Sequence, residues 1–428
     1  MQRRYLLPTL LLLAASLQAA PLDPLLKRTD LWQLTADTFP QQPEARPYGW
    51  SSAAHDSARA ADRKDLTLFN LPIVESVARF ESGKLTQVTA VVYARGDAGD
   101  LEEDPFKKLV QNTITAVNTA TGVTFSPRGR EASNAVHAEG VVWQTPAAQY
   151  LLEYSFTKEV KSRNIPFRAE FVRLTVTPPQ QAKSLLASVS QPAATKFNGP
   201  SHVKKDLTSG DVVIPDVPMV DQGQKGYCAV ACTERMMRYY GVAADENEIA
   251  QAANTNTAGG TSADAMFEAL KKLGARLHVK VRPVQQLDVK ELLTLIRDYN
   301  RTAKKDGATP LPDPGHMIDV DGMFLAMKAD VLEETRTKNK SDVTRFEHAV
   351  QDHINQGIPL VWSVMLGLFP EKGDPQGSGG HMRLIIGYND KTQEILYTDS
   401  WGRGHELKRM PVGHAIAINM GLNTIEPL

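Results

Sequence analysis

Cysteine is scarce in this chain: of 428 residues only Cys228 and Cys232 carry a thiol. A spacing of four on a helix puts two Cβ atoms about 5–6 Å apart, beyond the roughly 3.5–4.5 Å that a disulfide spans. Two free thiols are therefore expected. An excess of one charge is also lacking, with 48 basic against 49 acidic side chains and no basic stripe or acidic tail. That excludes the electrostatic footprint of a nucleic-acid binder. Beyond the N-terminus no segment is apolar enough to span a bilayer. Metal-ligand spacing is missing too: His55 and His137 stand alone, and His316, His348 and His353 follow no ligand pattern. HMIDVDG imitates part of a calcium loop, but Met317 and Lys328 occupy its first and last ligand positions. No metal or organic cofactor is expected.

The N-terminus, MQRRYLLPTLLLLAASLQAAPLD, has Arg3 and Arg4, an apolar run from Tyr5 to Leu17, and then small residues. This is the pattern of a secretory signal peptide over residues 1–20, with Pro21 favouring cleavage after Ala19. The run falls short of the ~20 apolar residues of a spanning helix, and no cysteine near the cleavage region suggests a lipoprotein. An exported protein, periplasmic or extracellular and without stable membrane insertion, is expected.

Periodicity predicts an α+β fold in two parts. Residues 21–177 read as an N-terminal α+β domain: β-branched runs at 73–80 and 85–93 joined by a hairpin turn, a helix opening near Pro105, and three more strands at GVVWQT, QYLLEYSF and FRAEFVRLTV. This part shows no catalytic constellation, and Arg95-Gly96-Asp97 reads as a turn rather than an adhesion motif. Residues 178–210, rich in Pro, Gln, Ala, Ser and Lys, read as a linker. Residues 211–428 form the second domain, with an insertion at about 287–345. Its elements include a helix TSADAMFEALKKLG closed by Gly274, a strand ARLHVKV, and three strands at IPLVWSVML, MRLIIGYN and EILYTDSW.

The chemistry-bearing stretch is 218–241, PMVDQGQKGYCAVACTERMMRYYG. A turn-prone run delivers Cys228 to the first turn of an apolar helical pattern that stops at Gly241. Unpaired N–H groups at a helix start stabilise an anion, so a cysteine there becomes a nucleophile. On the same helix Cys232, Met236 and Tyr239 or Tyr240 share one face, with Thr233, Glu234 and Arg238 on another. His381 opens a strand after a glycine-rich stretch and can serve as the base. Asp399 ends the next strand, 18 residues on, where two antiparallel strands would bring it beside His381 to orient the ring. Gln222, six residues before the thiol, can donate a side-chain N–H to an oxyanion alongside the Cys228 backbone N–H. His414, in GHAIAIN, is the rival base, but no Asp-Ser-Trp-Gly segment follows it.

These segments resemble the papain-like cysteine peptidases. QGQKGYCAVAC is similar to their nucleophile segment, TDSWG to their Asn-Ser-Trp-Gly segment, and HMRLIIGYN to the strand that begins with their catalytic histidine. Within that clan the bacteriocin-leader-processing, or double-glycine, branch is more similar still: YCAVACTERMMRYYG resembles its helix with a second cysteine, ending in Tyr-Tyr-Gly, and GTSADAMFEALKKLG its next helix. The resemblance covers about residues 215–405. It implies a papain-like α+β domain, a Cys228–His381–Asp399 triad with Gln222 at the oxyanion, Trp401 covering the His–Asp pair, and a peptide or protein substrate. Two positions depart from the pattern: Tyr227 stands where an aspartate usually precedes the cysteine, and Ala229 replaces a glycine. A transporter portion is not implied, and the insertion has no recognised counterpart.

The expectation is thus a secreted bacterial cysteine peptidase. A cell-wall amidase or transglutaminase-like acyl transferase would use the same order of Cys, His and Asp. A non-catalytic secreted binding protein with a vestigial triad is the reading from another class.

Overall fold

The computed structural model describes residues 20–61, 65–128, 136, 138–179, 197–223, 226–242, 246–255, 261–313, 315, 318–373 and 375–428. Residues 1–19 of the signal-peptide pattern, His137, His316, Met317 and residues 180–196 of the expected linker lie outside these residues; the rest of that linker is not a plain connector, since Gly199–His202 forms a 3-10 turn and Lys204–Lys205 pairs with Asp211–Val213 in the second sheet.

Alternation of apolar and polar residues builds the first sheet. Glu75–Glu81 and Lys84–Ala94 pair as a hairpin, and Arg168–Thr177, Gln149–Thr157 and Glu139–Gln144 extend it on one side. With three short strands at its margins the sheet has eight strands, all antiparallel. Helix Glu103–Thr121 carries Glu103 and Asp104 in its first turn, where negative charge suits the dipole, and ends on Gly122 at φ 70°. Its Phe106, Val110, Ile114 and Val117 join Leu152, Leu174 and Val176 in one core.

A second antiparallel sheet carries the C-terminal half. Gly379–Asn389 and Leu360–Leu366 pair at its centre, followed by Asn419–Pro427 and Val279–Gln286. Glu394–Thr398 pairs along the other edge of Gly379–Asn389, opposing Leu384 to Thr398. Helix Cys228–Tyr239 packs on this sheet through Cys232 and Met236, which share a core with Met382 and Leu384. The molecule is α+β, with helices laid against two antiparallel sheets. Among the described residues no helix is long and apolar enough to cross a membrane.

Several elements differ from the sequence expectation. The helix expected to close at Gly274 runs Ala263–Leu277, capped at its start by Ser262 and ended by His278 at φ 53°. Gly274 is there for close approach, since a Cβ on it would lie 2.6 Å from the Val279 carbonyl oxygen. The strand expected at 275–281 therefore begins only at Val279. GHAIAIN folds as part of helix Val412–Ile418, and Asn419–Pro427 is a central strand that the sequence reading did not contain. Short apolar runs are ambiguous between buried helix and strand, and the partners of this strand lie far away in sequence. The insertion folds as helices Val289–Lys305, Val320–Leu325 and Ala329–Thr337, followed by Lys340–Asn355.

The first sheet reaches helix Cys228–Tyr239 on the side away from the second. Val136, Ala138 and Phe171 share a core with Ala229 and Val230. Glu234, expected on a different helix face from Cys232, is buried and accepts from Arg79 Nη2 at 3.1 Å. Arg173 bridges Glu153 and Glu248, each within 3.0 Å. Arg95, the first residue of the adhesion-like tripeptide, donates to Asn254 Oδ1 and the Thr255 carbonyl.

Candidate active site

Cys228 is the first residue of helix Cys228–Tyr239, whose N-cap Tyr227 makes no side-chain capping bond. Its thiol is partly exposed, while Cys232, one turn on, is fully buried; both are free. Strand Gly379–Asn389 presents His381 toward the helix start. Asp399 follows strand Glu394–Thr398, and the antiparallel register sets it beside that histidine. His381 Nε2 donates to Asp399 Oδ1 at 3.0 Å, with both side chains wholly buried. The other ring nitrogen, Nδ1, has no fully formed hydrogen bond. It is the nitrogen left to serve the thiol, and Cys228 and His381 are close enough that each perturbs the other's titration.

The shifts have opposite signs. Burial alone would push the Cys228 thiol up, but the His381 ring, then the backbone N–H groups of Met382 and Ala229, bring it below its ordinary value. Burial alone would push His381 down, but Asp399 and the Cys228 sulfur hold it above the usual imidazole value. Asp399 is buried, yet Arg383, His381 and Lys408 keep it well below the usual carboxylate range. Burial pushes the Cys232 thiol far up, and its Sγ donates to the Met382 carbonyl at 3.3 Å. One thiol is poised to ionise; the other is held neutral.

Trp401 stacks on His381, with ring centroids 4.3 Å apart and planes 11° from parallel. Gln222 is buried in the loop before the helix. Its N–H donates to the Ser400 carbonyl at 2.8 Å, and Ser400 Oγ donates to Gln222 Oε1 at 2.6 Å. The amide oxygen is thereby turned to Ser400, leaving the NH2 end as the donor group of that side chain. Gly402, at φ 76°, sits against Asp221, since a Cβ there would come within 2.8 Å of Asp221 Oδ2. The segments holding Gln222 and Asp399 are thus locked together. All four residues expected to carry the chemistry, and Trp401, converge in one place.

His414 does not join them. It stacks on Phe369 at 3.9 Å, with its Nε2 3.6 Å from Glu333. His353 Nδ1 donates within its own helix to the Ala349 carbonyl, and His55 stacks on Trp50. Among the described residues no group of three or more His, Cys, Asp or Glu could hold a metal ion.

Three residues of the site escaped sequence reasoning. Arg383 is fully buried; its Nε donates to Asp399 Oδ1 at 3.0 Å and its Nη1 to both oxygens of Glu371 at 3.1 Å. The signal was present, because Arg383 stands two residues after His381, on the same strand face, in an otherwise apolar run. Lys408 lies 3.4 Å from Asp399 Oδ2. Arg235, on the nucleophile helix, donates to the carbonyls of Pro218 and Asp399 and to Thr398 Oγ1, at 2.7 to 2.8 Å. Burial brings Arg235 down to about 10. No pattern in one sequence reveals an arginine whose acceptors are backbone carbonyls.

Residues 214–417 match the Peptidase_C39 like family. That C39-like stretch contains Gln222, Cys228, His381 and Asp399, and the match supports a cysteine peptidase acting on peptide or protein. No curated protein matches the chain in sequence. Among solved structures, xylellain, a cysteine protease from Xylella fastidiosa, is similar at 14% identity over 53% of this chain and 90% of that one, with a TM-score of 0.28.

Proposed function

We propose that residues 211–428 form a cysteine peptidase that hydrolyses peptide bonds through Cys228, His381 and Asp399, with Gln222 as oxyanion donor. The observation that carries this reading is the His381 ring, held by Asp399 through Nε2 and facing Cys228 with Nδ1. The Cys228 thiolate attacks the amide carbonyl carbon and forms the C–S bond. Negative charge moves to the carbonyl oxygen, where the Gln222 side-chain N–H and the Cys228 backbone N–H receive it. His381 gives its Nδ1 proton to the leaving nitrogen as the C–N bond breaks. Water then attacks the thioester, His381 takes the water's proton, and the C–S bond breaks to release the acid. Asp399 keeps the proton on Nε2 and orients the ring, while Trp401 shields the pair from water.

The chain is further read as a bacterial protein exported through its N-terminal Arg3–Arg4 and apolar run, with a linker within 178–196 joining the C39-like region to the N-terminal part. N-terminal sequencing of the protein recovered outside the cytoplasm checks the first point; a start at Met1 overturns it.

The test of function incubates the full-length protein with a peptide library and, separately, with an active-site thiol probe. Wild type is expected to cleave peptides and to label at Cys228, whereas Cys228→Ala does neither. Equal labelling of the two proteins, or labelling only at Cys232, sinks the assignment. Amine incorporation, or peptidoglycan turnover without peptide cleavage, moves the substrate away from peptide bonds.

A further inference from the structure

We infer that the N-terminal sheet is a working part of this site: Arg59 and Gly96 hold the Gln222 loop and the start of the Cys228 helix in place, as positioning residues. The inference rests on the cysteine-peptidase reading above.

Two contacts carry it, one on each side of the proposed nucleophile in sequence. Arg59 lies in strand Ser57–Ala60 of the first sheet, and its Nε donates to buried Glu75 at 2.8 Å. Its guanidinium packs on the backbone next to Gln222, where a Cβ on Gly223 would lie 2.7 Å from both Nη atoms. Gly223, at φ 63°, closes a turn by donating its N–H to Asp221 Oδ1 at 2.9 Å. The Asp221 carboxylate attracts Arg59 and also packs on Gly402 of the Asp-Ser-Trp-Gly segment. A cation from the first sheet therefore sits against the turn that presents Gln222.

The second contact is Tyr227, the residue before Cys228. It is only 1% exposed, and its ring and hydroxyl lie directly over the backbone of Gly96, where any Cβ would collide with them. Gly96 lies in the four-residue helix Arg95–Ala98 that follows strand Lys84–Ala94, where the sequence predicts a plain turn, and its neighbour Arg95 is anchored to Asn254 and Thr255. Here the helix start has no side-chain cap of its own. Its position is set instead by an aromatic ring clamped against the other sheet. The tyrosine that departs from the related aspartate pattern thus has a physical role in this chain. A misplacement of about 1 Å at reacting groups can cost roughly 10²-fold in rate, so such clamps act on kcat.

The test uses the full-length protein with Gly96→Val and, separately, Arg59→Met combined with Glu75→Gln, because Glu75 is buried against Arg59. Circular dichroism checks folding, kcat and KM are measured on one peptide, and Cys228 alkylation is followed against pH. Each variant is expected to fold, to lose about 10- to 100-fold in kcat with KM changed by less than about threefold, and to show an altered alkylation profile. Arg59→Lys, which keeps the cation, is expected to recover part of the rate. Wild-type kcat and alkylation in both folded variants overturn the inference while leaving the peptidase reading intact. A wild-type protein that neither cleaves peptides nor alkylates selectively at Cys228 overturns the peptidase reading itself.

Discussion

Helix Cys228–Tyr239 faces two sheets that treat it differently. Toward the second sheet it presents Cys232 and Met236, packed on Met382 and Leu384, and Cys232 Sγ donates to the Met382 carbonyl. Toward the first it adds charge to the apolar contact of Ala229 and Val230: Glu234 meets Arg79 at 3.1 Å, and Arg238 approaches Asp56 at 4.0 Å. The apolar face aligns the helix with the strand that carries His381, and its contacts are indifferent to salt. The ionic face joins the N-terminal sheet to the same helix through pairs that tolerate only their own partners, because a buried charge deprived of its mate costs more than an apolar contact of the same size. One face gives the site its dryness, and the other gives the two halves of the chain their register.

The largest expected effect tests whether chemistry lives at the helix start alone. Cys228→Ala should lower kcat/KM by roughly 10⁴-fold or more with little change in melting temperature, measured on a fluorogenic peptide. Asp399→Asn should lower kcat by about 10²- to 10⁴-fold, since the ring loses its orienter. The wild-type rate should rise with pH as Cys228 loses its proton, below the ordinary thiol value, and fall as His381 loses its own, above the ordinary imidazole value. Both shifts favour the thiolate–imidazolium form of the pair. Stability should change in the same direction at the acid end. A carboxylate with a lowered folded pKa contributes stability above its unfolded value, about 3.9, and loses it as pH falls toward the folded one. Urea melts below pH 4 should show Asp399 contributing this acid sensitivity.

Gln222→Ala should cost about 10²- to 10³-fold in kcat with a smaller change in KM, as for an oxyanion donor. The ionic face is next: Arg79→Met leaves buried Glu234 without that cation and should cost about 1–3 kcal/mol in chemical denaturation. High salt should narrow the gap between that variant and wild type, whereas an apolar-face variant should show no such dependence. The smallest effect belongs to the second thiol. Cys232→Ala should retain activity and lose about 1–2 kcal/mol of stability; a Cys232 variant as inactive as Cys228→Ala would mean that the two thiols have been assigned the wrong way round.

Much of this site was legible because each chemical residue sits at a punctuation mark of secondary structure. Cys228 follows a glycine-bearing turn, His381 follows glycines and opens a strand, and Asp399 closes the next one. Local pattern predicts such positions, and strand pairing then brings them together. The α+β class and most strands of the first sheet were legible for the same reason. Strand Asn419–Pro427 was not, since its pairing with Val279–Gln286 depends on residues more than a hundred positions away. Lys408 and Arg235 were missed because they act through burial, which no spacing rule encodes, whereas Arg383 was missed although its place in an apolar strand two residues after His381 marked it. The polar face of the nucleophile helix was read without its partners: Glu234 meets Arg79 of the first sheet, and Arg238 approaches Asp56.

Arg235 has one more consequence, and it concerns time. Its guanidinium ties Pro218, ahead of the thiol, to Thr398 and Asp399, 163 and 164 residues beyond it. Contacts of such sequence separation form late in folding, after local helices and hairpins. A chain that has made its helix but not yet closed this tie carries Cys228 without its histidine partner in place. Its thiol is then an ordinary one. Reactivity arrives only with the completed fold, so alkylation of Cys228 during refolding should accelerate in the final phase, in step with native near-ultraviolet dichroism rather than with helix content.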